Sequence, residues 1–353
     1  MSARKTPRRL LREALTVVRQ HGGIAQAAAA LNMPYSTLQA RHRAALAAAN
    51  QGHIEEDDGI PVGLPYEREW AVWQQHIGMA KDRYTGPARP RATTGRLRVV
   101  AAGDFHVPFH DRDAVAELIA REGPHTDVLL LGGDFGDAHC ASTFIKYQTV
   151  RFEEEHAAKT LLLQELSQAF PTVRYLAGSN HPDRFEKRLR EHLDPDLLNA
   201  IASMTGGTLN PDLALVRRFP NVEVAQWTTP DGHLVPWLTL VGDVAFCHAE
   251  KYSRTPGAAL RGIEEWLDDF SATLGLPALR AVVQFHTHAM ALLPWRANTL
   301  LIEPGCMAQV QQYQLGAKLG GRPQRQGYVA MDLVDGHLDI GSVRLRWLDA
   351  ERR

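Results

Sequence analysis

Residues 97–106 read Leu97-Arg98-Val99-Val100-Ala101-Ala102-Gly103-Asp104-Phe105-His106. A short apolar run ends on a glycine, and a carboxylate and an imidazole follow it two positions apart. A continuous apolar stretch of this length marks a strand covered on both faces. Alternate residues of an extended segment point the same way, so Asp104 and His106 are expected to converge on one ion. The texture recurs downstream. Val128–Leu131 leads into Gly132-Gly133-Asp134-Phe135-Gly136-Asp137, where two glycines let the backbone approach closely. Apolar runs at 173–176, 244–247 and 282–285 precede Asn180-His181, His248 and His286-Thr287-His288.

In chain order these segments spell DxH, GDxxD, NH, H and HxH. With 16 histidines present, an isolated HxH is expected by chance. The full ordered set, with most pieces at the ends of strand-like runs, is not. Hard carboxylates, imidazoles and an amide oxygen suit divalent Mn, Fe, Zn or Mg, and no thiolate is needed.

On these residues the stretch 97–347 resembles the calcineurin-like metallophosphoesterases. The resemblance implies a four-layer α/β (α+β) β-sandwich and two divalent metal ions, with Mn the first expectation. Asp104, His106, Asp134 and His288 would bind one ion. Asp134 would bridge to the second, completed by Asn180, His248 and His286. His181 would face the phosphate as general acid or electrostatic contact, Asp137 would orient from behind, and Arg184 would hold a phosphate oxygen bidentately. Ile302-Glu303-Pro304-Gly305-Cys306 resembles the family's closing Pro-Gly segment. Two ions clamp the attacking and non-bridging oxygens of an in-line displacement and activate water at neutral pH. The chain departs from the pattern in four places. Ser179 stands where the family usually has Gly, Pro182 where an acid commonly follows the histidine, Ala249 where Gly follows His248, and Phe285 where Gly precedes His286. None removes a metal ligand.

Around this region, further strands are expected at 97–102 and 300–302, and a hairpin at 328–334 and 337–347 around Asp335-Gly336. Helices are expected at 114–122, 152–170, 184–192 and 258–274. Strands alternating with helices, then a strand-rich end, indicate an α/β or α+β layered sandwich over residues 96–353.

The first fifty residues differ in kind. They carry eight Lys or Arg against Glu13 alone, a charge of +7, while the remaining 31 basic and 39 acidic residues leave -8. Leu10, Leu11, Ala14, Leu15 and Val18 recur at helical spacing, and His21-Gly22-Gly23 stops that helix. An alanine-rich stretch follows. Asn32 sits where a tight turn needs tolerance of positive φ, and Pro34 opens a second helix. Ala28, Asn32 and Leu38 match a helix-turn-helix pattern, in which a small residue permits close crossing. Leu38, Ala45 and Leu46 line one side, and Tyr35, Ser36, Thr37, Gln39, Arg41 and Arg43 are the candidate DNA contacts. The stretch resembles the helix-turn-helix segments of bacterial regulators and phage packaging proteins. The alternative is a hairpin that only packs or dimerises. Residues 51–95 read as a connector with one helix over 66–84, whose Trp70, Trp73 and Ile77 form a packing stripe.

At 353 residues one large core plus something smaller is expected. No run approaches the roughly 18 apolar residues of a membrane span. The N-terminus lacks an apolar signal region. Cys140, Cys247 and Cys306 lie far apart, as reduced thiols of a cytoplasmic protein would; the two that adjoin the candidate site are expected to be buried apolar fillers. The expected function is a phosphodiesterase or nuclease acting on nucleic acid, DNA foremost, in a phage-like setting. The alternatives are a phosphomonoesterase located by its head and, third, a silent DNA-binding regulator.

Overall fold

The computed structural model describes residues 10, 14, 17, 18, 24–50, 95–142, 150–204, 208–253, 255, 257–296, 298–310 and 323–348. The chain divides into two compact units, Met1–Glu69 and Trp70–Arg353. The helix expected over 66–84 lies outside the described residues.

In the first unit, helix α1 (Ile24–Ala30) and helix α2 (Tyr35–Asn50) flank a turn at Asn32, whose φ is 47°. Met33 N–H donates to Ala28 O at 2.9 Å and closes the turn. Ala27, Ala28 and Leu38 are buried with Ala14, and Val17, Val18, Ile24 and Met33 pack around them. Small alanines let the two helices approach. Ala45 is buried, whereas the Leu46 side chain lies outside the described residues. Tyr35, Ser36 and Arg43 are exposed, and Thr37, Gln39 and Arg41 partly so.

The second unit is built on two sheets. Strand β1 (Arg96–Ala102) is followed by helix α3 (Arg112–Glu122), β2 (Val128–Leu131), α4 (Phe152–Ala169) and β3 (Thr172–Leu176). Helices α5 (Asn180–His192), α6 (Pro195–Met204) and α7 (Pro211–Val216) lead to β4 (Val222–Ala225) and the short pair β5 (Trp227–Thr228) and β6 (Leu234–Val235). Then come β7 (Leu238–Val241), β8 (Val244–Cys247), α8 (Ala258–Asp269), α9 (Ser271–Leu274) and β9 (Ala281–Gln284). Four strands close the unit: β10 (Met290–Trp295), β11 (Thr299–Pro304), β12 (Gly327–Val334) and β13 (His337–Trp347). The first sheet runs β13-β12-β1-β2-β3-β4, with β1 to β4 parallel. The second runs β10-β11-β9-β8-β7, with β8, β9 and β11 parallel.

The two sheets face each other. Val99, Ala101, Val128, Leu130, Val329 and Met331 of the first pack against Val244, Phe246, Ala281, Val283 and Ile302 of the second. The alternate residues Ala245, Cys247, Val282 and Leu301 bury against Leu260, Ile263 and Leu267 of α8. Strands covered on both faces need apolar residues at every position, which explains runs such as Val128–Leu131. Each fully buried Leu, Val or Phe contributes about 1.5–3 kcal/mol.

On the outer face of the first sheet α3 is tied down by charge. Arg98 sits 3.0 Å from Glu122 and 3.4 Å from Asp332, and Tyr328 O–H donates to Glu122 at 3.0 Å. The β12–β13 hairpin turns on Asp335 (φ 51°) and Gly336 (φ 83°), both left-handed as a two-residue type I′ turn requires.

Three helix expectations change. The helix expected from 184 begins at Asn180, because Pro182 falls in the first turn, where its missing N–H breaks no bond. The single helix expected over 258–274 is two, broken at Phe270. Helices α6 and α7 went unforeseen, α7 being started by Pro211 and capped by Asn210. Among the described residues, no helix is long and apolar enough to cross a membrane.

Candidate metal centre

The parallel strands β1, β2, β3, β8 and β9 each deliver a loop from their C-terminal end, where parallel sheets usually carry binding groups. The loops are stitched by backbone. Asp104 N–H donates to Gly133 O (3.1 Å), His106 N–H to Asp134 O (2.9 Å) and Phe285 N–H to Cys247 O (3.0 Å). His286 N–H donates to Asp104 Oδ2 (3.0 Å), and His181 N–H to Asp134 Oδ1 (3.1 Å).

Their conformation corrects the extended geometry expected for Asp104-Phe105-His106 and His286-Thr287-His288. Asp104 (φ 53°), His106 (50°), Asp134 (44°), His286 (73°) and His288 (52°) are all left-handed. That region costs non-glycine residues of order 1–3 kcal/mol unless the surroundings impose it. Here each chain turns sharply out of its strand, and convergence comes from the turns rather than from alternation. Asn180 and His181 likewise sit in the first turn of a helix, not in a loop.

Three groups of side chains offer donor atoms within 4.8 Å of one another: Asp104, His106 and His288; Asp134, His248 and His286; and His106, Asp137 and His181. In the first, His106 Nε2 faces His288 Nε2 at 3.0 Å, and Asp104 Oδ1 lies 3.4 Å from His288 Nε2. In the second, His248 Nε2 lies 3.2 Å from Asp134 Oδ2, and Asn180 Oδ1 stands 3.3 Å from His248 Nε2 and 3.1 Å from His286 Nδ1. Asp104, Asp134 and His248 are buried, and His286 and His288 partly so.

The tautomers favour a cation. His248 Nδ1–H donates to the Gly132 carbonyl (2.8 Å), which leaves Nε2 turned inward as the atom that becomes a ligand once its proton is lost. His106 Nδ1 lies 3.1 Å from Asp137 Oδ1, and its Nε2 is likewise inward. Asp104 Oδ1 is buried and accepts no hydrogen bond. Inward imidazole nitrogens, an unbonded carboxylate oxygen and an amide oxygen form a donor set that fits a hard or borderline divalent ion.

Protonation follows the same logic. Burial alone would lower His248, but Asp134 and then Asp104 outweigh it and carry the pKa up to about 9. Burial and the neighbouring His248 push His286 down to about 4. Burial opposes ionisation of Asp134, yet His181 and His248 hold it well below the usual carboxylate range. His181 is raised: burial works against its charge, and Asp134 and Asp137 overcome it.

Asp137 lies against His106 and His181, its Oδ1 3.1 Å and 3.3 Å from their Nδ1 atoms. His181 Nδ1 is 2.6 Å from the Asp137 carbonyl, which only accepts, so Nδ1 carries the proton. Arg184 Nη1, 3.2 Å from the same nitrogen, is then a contact between two donors. His181 Nε2 turns toward Asp134 Oδ2, 3.8 Å away.

The residues singled out above as departures make defined local contacts. The Ser179 hydroxyl accepts the Asp134 N–H at 2.9 Å. The Phe285 ring occupies space that a Cβ at Gly103 or Gly132 would fill, locking three loops together. Gly133, at φ 91°, lies where a Cβ would strike His248. Gln284 holds the backbone of Ala249 through both of its amide atoms. Cys247 and Cys306 are buried, the former with its thiol pushed up by burial. Sequence reasoning named Ser179 only as a departure and missed Glu155, which carries no local signal.

No protein-family profile matches the chain, and no curated protein matches it. Among solved structures it is similar to Vacuolar Protein Sorting 29 from Cryptosporidium parvum, with 13% identity, a TM-score of 0.35, and 72% of this chain and 98% of that one covered. It is also similar to Vps29 complexed with Zn from Entamoeba histolytica, with 12% identity, a TM-score of 0.34, and 71% and 98% covered. A conserved uncharacterised protein from Streptococcus pneumoniae, described as a predicted phosphoesterase, gives 11% identity, a TM-score of 0.29, and 72% and 99% covered. At TM-scores this low, the reading of the centre rests on its own residues.

Proposed function

We propose that this chain is a metal-dependent hydrolase of phosphate esters, and that its substrate is a nucleic-acid phosphodiester. The observation that carries the reading is the two donor sets, Asp104, His106 and His288 and Asp134, His248 and His286, joined by the His286 N–H on Asp104 Oδ2. Asp104, His106, Asp134 and His288 would hold one ion. Asp134, Asn180, His248 and His286 would hold the other, with Mn the first candidate. Bound there, two divalent ions supply positive charge to a phosphoryl group and acidify water at neutral pH. The chain's own residues do the rest. His181, its Nδ1–H held by the Asp137 carbonyl, presents Nε2 to the site and can hold a proton there for a leaving oxygen. Arg184, one helical turn on, binds a non-bridging oxygen.

The nucleic-acid assignment rests on the first unit. Residues 1–50 carry +7, and α2 exposes Tyr35, Ser36 and Arg43, and partly Thr37, Gln39 and Arg41, groups able to contact or neutralise phosphates. One observation favours a second reading. Residues 51–353 carry -8, which suits a compact phosphomonoester better than a long polyanion.

The test sets purified protein with Mn against a generic phosphodiester, a phosphomonoester, and single- and double-stranded DNA, beside Asp134→Asn. Diester and DNA cleavage is expected, and monoester turnover with intact DNA sinks the nuclease assignment. In the full chain, Arg41→Ser with Arg43→Ser should lower the salt slope of DNA binding by about 2. An unchanged slope reduces the first unit to a packing element.

A further inference from the structure

Asp137 is the hub behind the centre. Its Oδ1 lies 3.1 Å from His106 Nδ1 and 3.3 Å from His181 Nδ1, and its Oδ2 lies 3.3 Å from His139 Nδ1. Its carbonyl holds His181. The backbone of the next residue, Ala138, is left-handed at φ 48°, a conformation alanine keeps only when its surroundings impose it.

What imposes it is Glu155, on α4. Its Oε1 accepts the N–H of Ala138 (2.8 Å) and its Oε2 the N–H of His139 (2.9 Å). The turn lies directly against the helix. A Cβ at Gly136 would fall 2.6 Å from Lys159 Cδ and 2.9 Å from Glu155 Oε1. Glu155 is itself anchored. Lys159 Nζ is 3.5 Å from its Oε1 and also pairs with Asp212 Oδ1, while Asp212 Oδ2 accepts the Tyr175 O–H at 3.0 Å. Glu155, Lys159 and Asp212 are each only 2% exposed. Two buried carboxylates thus share one ammonium. The two N–H groups of the turn take up the surplus charge, so the carboxylate and the turn hold each other in place.

We propose that Glu155 is a positioning residue of the metal centre, clamping the 137–139 turn and, through Asp137, aiming His106 and His181. A buried ion set is weak evidence for stability in itself. One that terminates on the backbone beside Asp137 has a geometric job: groups that orient a metal-binding histidine typically change metal affinity by about 10- to 100-fold. The proposal rests on the metal-centre reading above.

The experiment uses the full chain, metal-free and then titrated with Co²⁺. Glu155→Gln keeps the volume but turns an amide N–H₂ toward one of the two turn N–H groups. In the metal-free protein, amide exchange at 138 and 139 should accelerate. Co²⁺ affinity should fall about tenfold and the visible band of bound cobalt should change shape. Asp212→Asn serves as control. It disturbs the far end of the same network, leaves Glu155 on the turn, and should lower the melting temperature with affinity and band kept within about twofold. A folded Glu155→Gln protein with wild-type exchange, affinity and spectrum overturns the proposal. So does an Asp212→Asn protein that loses affinity equally. If Glu155→Gln does not fold, the neutral set Glu155→Gln, Lys159→Met and Asp212→Asn removes the charges together and is read by the same criteria. Cobalt uptake by the wild-type chain tests the metal-centre reading itself, so a failure there is distinct from a failure of the clamp.

Discussion

Two buried acidic clusters of the second unit are built on opposite terms. Around Arg98, each acid has a cation or donor: Glu122 takes Arg98 and the Tyr328 hydroxyl, and Asp332 takes Arg98 and Arg96. At the ends of β1, β2 and β9, Asp104 keeps a buried oxygen without a hydrogen bond, and two Nε2 atoms face each other at 3.0 Å. The first cluster neutralises itself and ties α3 to its sheet. The second turns its donor atoms toward a common centre and is balanced by protons on His248 and His181, which an added cation can replace at His248. The acids are buried in both cases; what differs is whether their partners are fixed cations or imidazoles that can give up a proton.

The largest effect expected from this contrast is on hydrolysis. Asp134→Asn should cut kcat/KM on a phosphodiester by about 1000-fold or more, with the protein still folded by circular dichroism. Activity within tenfold of wild type would place the chemistry elsewhere. Arg98→Met probes the other cluster. Stripping the shared cation from Glu122 and Asp332 should lower stability by about 3 kcal/mol in urea unfolding, with hydrolysis per folded molecule unchanged. A matching loss of activity would merge the two clusters into one system.

Metal addition comes next. An ion at 100 times its Kd should stabilise the wild-type protein by about 2.7 kcal/mol, and Arg98→Met by the same amount, while Asp134→Asn should gain much less. Melting curves with and without chelator read this directly. The smallest effect is the pH dependence of the metal-free protein. The folded pKa of His248, about 9, lies above its unfolded value of 6.5. The stability it contributes is fully present below pH 6.5 and is lost as pH rises through about 9. Metal binding runs the other way, tightening with pH because that proton has to leave. His248→Gln should flatten the metal-free profile, and a wild-type profile already flat would remove the His248–Asp134 pair from the electrostatics.

Several elements were legible because their causes are local. Val128–Leu131 and Val244–Cys247 run between the expected ends, since four consecutive buried residues leave one reading. The hairpin at Asp335-Gly336 follows from two residues that tolerate positive φ. Asn32 adopts the φ of 47° that its place in the turn demands. The misses share a cause as well. The apolar run of α8 gives no sign that Phe270 ends it, and Pro182 masked the start of α5. Glu155 reads as one of three consecutive acids opening a helix, Glu153-Glu154-Glu155, while its partners lie 16 and 17 positions back along the chain.

The sequence by itself determined the inventory and order of the polar groups, the strands that carry them and the charge contrast between the head and the rest of the chain. Hydrophobic periodicity, turn chemistry and composition act over a few residues and are written locally. Only the tertiary structure decided that Asp104 meets His288, 184 positions away, through left-handed turns rather than strand alternation, and that Glu155 rather than a neighbour of Asp137 holds the turn behind it. Those contacts depend on two sheets packing face to face and on a helix laid against a loop, and no local pattern encodes either distance.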